Sequence, residues 1–191
     1  KKATELDPNN ADAWLLRSKI ESSKDNRETA LNFLEKGQSL LTEPSYSNYN
    51  CFGEILREVK DYEKSLEYYK KAIELNPNDG YPYLNIALAL FQSGDLGAGM
   101  EQMERAVEAG EGQDWDDAVV VCMNEINVYL FKHAPLDQLP DLIEREQRLF
   151  EDGPFSEPFS EGLIGALTEL LKEHNDIPLD RLLGLREGVV A

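Results

Sequence analysis

Residues 61–80, DYEKSLEYYKKAIELNPNDG, carry one amphipathic helical stripe that stops at a proline. Whether the spacing of Tyr69, Ala72 and Pro77 recurs elsewhere decides the fold. The segment sits inside YSNYNCFGEILREVKDYEKSLEYYKKAIELNPN, residues 46–78. A shift of 34 residues reaches GYPYLNIALALFQSGDLGAGMEQMERAVEAGEG, residues 80–112. Tyr49 falls on Tyr83, Phe52 on Ile86, Gly53 on Ala87, Leu56 on Leu90, Ser65 on Gly99, Tyr69 on Met103 and Ala72 on Ala106. A shift of 35 in the other direction places Trp14, Ser18, Ala30 and Leu34 in the same columns. Large residues map onto large and small onto small, which is the mark of a repeated helical unit.

Each unit reads as two helices, over 45–58 and 62–75 in the clearest copy, with a turn at Lys60–Asp61. The small residues (Gly53 and Ser65, Ala87 and Gly99, Ser18 and Ala30) belong where the paired helices cross. Tyr49, Phe52, Leu56 and Tyr69 fill the space around that crossing. Pro77 cannot continue a helix and biases Asn76 away from helical geometry. Asn78 or Asp79 is then placed to cap the next helix. In the first copy Arg17 and Glu21 take the columns of Phe52 and Leu56, four residues apart and able to pair on one face.

This pattern resembles the tetratricopeptide repeat family. The resemblance rests on Trp14 and Ala30; on Tyr49, Phe52, Gly53, Leu56, Tyr69, Ala72 and Pro77; and on Tyr83, Ala87, Gly94 and Ala106. It implies an all-α right-handed superhelix, a solenoid of antiparallel helical hairpins. KKATELDPNN aligns with KKAIELNPND, so residues 1–9 read as the end of a truncated preceding repeat, cut from a longer array. Three units follow at about 11–45, 46–79 and 80–111. Beyond 111 the columns fade. Residues 114–134 read as a strongly apolar helix with Asp114 near its cap, 135–152 as a second helix, and 156–175 with 178–189 as a further pair. The region 112–191 is thus a set of divergent hairpins, either degenerate repeats or the cap a solenoid needs over its last apolar face.

The formal charge of −18 is unevenly spread. Residues 1–111 hold 20 acidic and 13 basic side chains; residues 112–191 hold 17 and 6. Such a surface repels phosphate backbones and argues against nucleic-acid binding. It keeps a protein soluble, would draw a basic partner, and would equally arise in a salt-adapted source. A hydrophobic share of 41% is that of a folded chain. No run approaches the roughly 20 apolar residues that cross a bilayer. Cys51 and Cys122, far apart and without metal-like spacing, read as reduced thiols and lean toward a reducing, cytoplasmic setting.

No pattern argues for catalysis, a metal or a cofactor. His133 and His174 form no ligand pair. GDLGAGM (94–100) follows a helix rather than a strand and lacks the lysine of a phosphate loop. DWDD (114–117) lacks the spacing of a calcium loop and suits a helix N-terminus. Surface remains. The resemblance implies that first helices line a concave groove that binds a peptide or protein segment. The groove residues would be Asp12, Lys19, Asn50, Glu54, Arg57, Tyr81, Asn85, Leu88 and Gln92, with the Asn85 amide able to donate and accept at once. Members that clamp an acidic C-terminus need a basic, amide-rich groove. Here the matching columns hold Leu15, Lys19, Cys51, Tyr81 and Asn85, and only two suit. The expectation is a non-enzymatic scaffold for a basic or neutral segment. The alternatives are a regulatory or substrate-recruiting array of a larger enzyme, and self-association through the apolar stretch 119–131.

Overall fold

The computed structural model describes residues 2–110 and 117–135, and beyond them 138, 141, 142, 145 and 148 singly. Every regular element among them is helical: α1 (Lys2–Leu6), α2 (Ala11–Ser22), α3 (Arg27–Ser39), α4 (Tyr46–Glu58), α5 (Tyr62–Leu75), α6 (Tyr81–Ser93), α7 (Leu96–Ala109) and α8 (Asp117–His133). They fall into two compact units, Lys1–Asn78 and Asp79–Ala191. Asp114, His174 and the expected hairpins at 156–175 and 178–189 lie outside the described residues.

Local chemistry marks the helix ends. Asn10 Oδ1 accepts from the Ala13 N–H at 2.9 Å, and Asp95 Oδ1 from the Ala98 N–H at 3.1 Å. Ser45 and Asn48 bond reciprocally as a capping box at the start of α4. The turn inside each hairpin holds one residue in the left-handed region: Asp25 (φ 61°), Lys60 (φ 62°) and Gly94 (φ 95°). These three share one column, and only the third copy fills it with the residue that adopts this conformation without a Cβ penalty. At Pro77 the chain behaves as the ring requires, with Asn76 extended at φ −144° and ψ 85°. The N-cap position of α6 is Gly80, without a side-chain bond, and Asp79 acts from one residue earlier, accepting the Tyr81 N–H at 2.9 Å.

In the first unit α2 pairs with α3, α4 pairs with α5, and α2 packs on α4. Leu15, Leu34, Phe52, Ile55 and Leu56 form the shared core. Gly53 is where α5 presses closest: a Cβ there would lie 2.7 Å from Tyr69 Cδ1, and Tyr69 is fully buried. Ser18 serves the same crossing in the preceding hairpin, donating from Oγ to the Ala30 carbonyl at 2.6 Å.

Arg17 does not turn to Glu21. Its Nη1 donates to Thr4 Oγ1 at 2.8 Å, and its guanidinium lies 4.0 Å over the Phe33 ring and 5.2 Å from that of Trp14. Glu21 instead accepts from Asn26 Nδ2 (2.7 Å) and Lys24 Nζ (3.0 Å). The reason lies one hairpin on, where Tyr49, Phe52 and Tyr68 make an aromatic trio, with Phe52 edge-on to Tyr68 at 5.3 Å. Trp14, Arg17 and Phe33 occupy the same three columns, and a flat guanidinium stacks on an aromatic face much as a ring would.

In the second unit α6 pairs with α7 and α8 packs on α6. Gly99 seats Phe91 as Gly53 seats Tyr69; a Cβ would lie 2.9 Å from Phe91 Cζ. The apolar face of α8 is spent inside this unit: Val119, Cys122, Met123, Ile126 and Leu130 are buried in one cluster with Leu84, Leu88, Phe91, Met100 and Met103. Leu142 packs against that cluster, and Arg145 Nε donates to Glu104 Oε1 of α7 at 2.9 Å. Residues past the last recognisable column therefore still pack on the repeat before them.

Candidate functional site

On the first unit, α2 and α4 present one polar face. Lys19 Nζ and Glu54 Oε2 meet at 2.5 Å and join two successive hairpins; the lysine side chain is 49% exposed and the glutamate 13%. Burial pulls the Lys19 pKa down, but the hydrogen bond and charge of Glu54, with Cys51 and Glu58 behind it, outweigh that, so the ammonium sits above its ordinary value. Ser22 Oγ bonds the Glu58 carboxylate and lies 2.9 Å from the Lys19 carbonyl. Cys51 stands among these charges, and burial, then the Glu54 carboxylate, pushes its thiol up to about 11. A thiol held protonated at neutral pH is a poor nucleophile and a poor metal ligand. The face thus sets three carboxylates, Asp12, Glu54 and Glu58, around Cys51, with Lys19 paired to Glu54.

The remaining groove residues are placed differently. Asn50 is 5% exposed, and its Oδ1 is buried without a hydrogen-bond partner. Arg57 is buried in the last turn of α4. In the second unit Tyr81 is half-buried at the head of α6. Asn85 is 2% exposed and its Nδ2 donates back to the Tyr81 carbonyl at 3.1 Å, so that donor is spent within the helix. Leu88 is fully buried in the apolar cluster that α8 completes. Gln92 borders a cavity of about 260 Å³ whose other described walls come from α8.

Lys19 and Glu54 are therefore brought into contact, and Gln92 reaches an open cavity. Glu58 and Ser22 were missed on the first unit, although Glu58 stands 34 residues before Gln92 and the column offered it. Asn124, Tyr129 and His133 of the cavity carry no column signal, because the repeat pattern has faded by α8. Among the described residues no group of three or more His, Cys, Asp and Glu is placed to hold a metal ion. No described helix is long and apolar enough to cross a membrane.

Comparison with known proteins agrees with the columns. A family model described as TPR repeat matches residues 53–94, and one described as Tetratricopeptide repeat matches residues 81–109. The TPR repeat-containing protein MJ1428 of Methanocaldococcus jannaschii is 27% identical over 107 residues, 56% of this chain. That stretch is 18% of the relative's own length. Among solved structures, the fold is similar to that of YrrB, described as a TPR protein with an unusual peptide-binding site. The TM-score is 0.50 at 18% identity, covering 88% of this chain and 78% of that one.

Proposed function

Because residues 53–94 and 81–109 match tetratricopeptide-repeat models, we propose that the chain works as a non-enzymatic scaffold that holds a peptide or protein segment. The observation that carries this reading is the α2–α4 face of the first unit, where the Lys19–Glu54 pair ties two hairpins together under a surplus of carboxylates. A preorganised polar face with one dominant sign selects partners by charge and speeds their encounter. The partner is accordingly basic or neutral, and an acidic tail is disfavoured. The peptide-binding site described for the structurally similar YrrB is in keeping with this.

An array of capped ten-residue peptides, basic, neutral and acidic, probed with the labelled chain tests the reading. Basic and neutral peptides are retained and acidic ones are not. Glu54→Gln with Glu58→Gln lowers retention of the basic peptides by about two- to thirtyfold, since each charge contact near the surface contributes roughly 0.2–1 kcal/mol. Absence of retention for every class sinks the proposal. A second reading, in which these repeats recruit or regulate for a larger enzyme, draws support from the small share of the archaeal relative that the match covers. The full-length reading frame decides it.

A further inference from the structure

Lys19 is bound by its own chain in the way a basic ligand would be. Its Nζ rests on Glu54 Oε2 at 2.5 Å, reaching from one hairpin to the next. The bases nearest to it in sequence are committed elsewhere: Arg17 to Thr4 and the Phe33 ring, Lys24 to Glu21 at 3.0 Å. Acceptors flank the pair. One turn along α4, Glu58 takes a hydrogen bond from Ser22 Oγ. One turn the other way, Asn50 is 5% exposed and its Oδ1 has no hydrogen-bond partner. Positions four apart share a helix face, so Asn50, Glu54 and Glu58 form one row. The Glu54 side chain is largely covered, whereas half of the Lys19 side chain stays open to solvent.

A lysine carries its charge on a flexible four-carbon stem, and an ion pair this open to water holds it by a factor of only about 1.4 to 5. We propose that Lys19 is a built-in competitor for the scaffold's ligand: it occupies Glu54 in the free chain, and a lysine side chain of a basic segment binds by taking its place. The exchange replaces one ammonium–carboxylate contact with another, and Lys19 swings out into water. Binding waits on the fraction of molecules in which Glu54 is released, so the affinity of a basic segment is lowered by up to about fivefold. A neutral segment has no cation to offer and leaves the pair closed. The pair therefore sets a threshold, since a segment gains from Glu54 only when its remaining contacts offset the displacement. The inference rests on the scaffold reading and names the residue that separates its basic ligands from its neutral ones.

Fluorescence anisotropy with a labelled, capped ten-residue peptide of alternating alanine and lysine tests it, against the same peptide with glutamine for lysine. Lys19→Met keeps the aliphatic stem and should bind the lysine peptide about two- to fivefold tighter than the parent, with the glutamine peptide unchanged. Lys70→Met removes an exposed charge of α5 and should give much less of that gain. In a Glu54→Gln background the gain from Lys19→Met should fall to the Lys70→Met value, which isolates the pair as a coupling. NMR of the lysine ε-methylene groups reads the displacement itself. Saturating lysine peptide should move the Lys19 signals toward their position in the Glu54→Gln chain, and the glutamine peptide should not. Equal effects of Lys19→Met and Lys70→Met overturn the inference, as do Lys19 signals that stay in place at saturation; with the peptide bound, either result leaves the scaffold reading standing. A parent and a Lys19→Met chain that both ignore the lysine peptide overturn it too, and the peptide array then decides the scaffold reading separately.

Discussion

Adding one methyl group at Gly53 should destabilise the first unit, and the sign of its effect should reverse when Tyr69 is made smaller. Gly53 lies inside α4, where glycine costs about 1 kcal/mol relative to alanine. On propensity alone Gly53→Ala is stabilising by that amount. The tertiary structure opposes this. The added Cβ would lie 2.7 Å from both Cδ1 and Cζ of Tyr69, a ring that is fully buried and has no room to retreat. Overpacking of a closed core costs about 1–3 kcal/mol, so Gly53→Ala should be destabilising by a net ~1 kcal/mol. The columns name the remedy. Where the equivalent position is Ala87 the facing residue is Met103, and where it is Ser18 the facing residue is Leu34. In a Tyr69→Met background, Gly53→Ala should therefore stabilise by up to ~1 kcal/mol, giving a coupling of roughly 2 kcal/mol across the cycle. Urea unfolding followed by circular dichroism on the four proteins measures it. A Gly53→Ala protein as stable as the parent, or a penalty unchanged by Tyr69→Met, would refute the close-approach argument.

Three further outcomes can be checked. Lys60→Gly should raise stability by about 0.5–1 kcal/mol, because Lys60 sits at φ 62° in the column that Gly94 fills in the next unit; thermal unfolding reads it. Arg17→Ala should cost about 1–2 kcal/mol through loss of the stack on Phe33, whereas Arg17→Phe, which restores the residue of the Phe52 column, should keep most of that in the same melts. Cys51 has a folded pKa near 11, above the ~8.5 of an unfolded thiol, so the folded state holds the proton more tightly. The stability this group contributes is fully present below the unfolded value and is lost as pH rises toward 11. Stability between pH 8 and 11, read by denaturant unfolding, should fall less steeply for Cys51→Ser than for the parent, and the parent thiol should alkylate slowly at pH 8.

Much of the architecture was legible in the residues because a repeat of this kind buries its apolar surface against itself and its nearest neighbour. Gly53 and Tyr69, or Ser18 and Ala30, meet within one hairpin, so a column comparison finds them. The turn at Lys60–Asp61 followed from the repeat columns, and the helix stop before Pro77 from proline chemistry, which acts on the neighbouring residue. Arg17 was not legible: its partners Thr4 and Phe33 come from two other helices, and sequence spacing pointed to Glu21 instead.

The open and closed parts of each helix face depend on what arrives next. Glu54 and Leu88 share a column, yet one is joined to Lys19 at the surface and the other is sealed in a core. Side-chain period alone establishes that α6 has an apolar side; it cannot tell which of its remaining sides α8 will cover. The sequence by itself determined the helical hairpins, their crossings and the acidic field, all consequences of short-range packing and summed charge. Only the tertiary structure decided that Leu88 is buried and that Gln92 opens onto Asn124 and Lys132. Those outcomes depend on contact between helices separated by more than twenty residues of chain, a distance over which no local pattern carries the information.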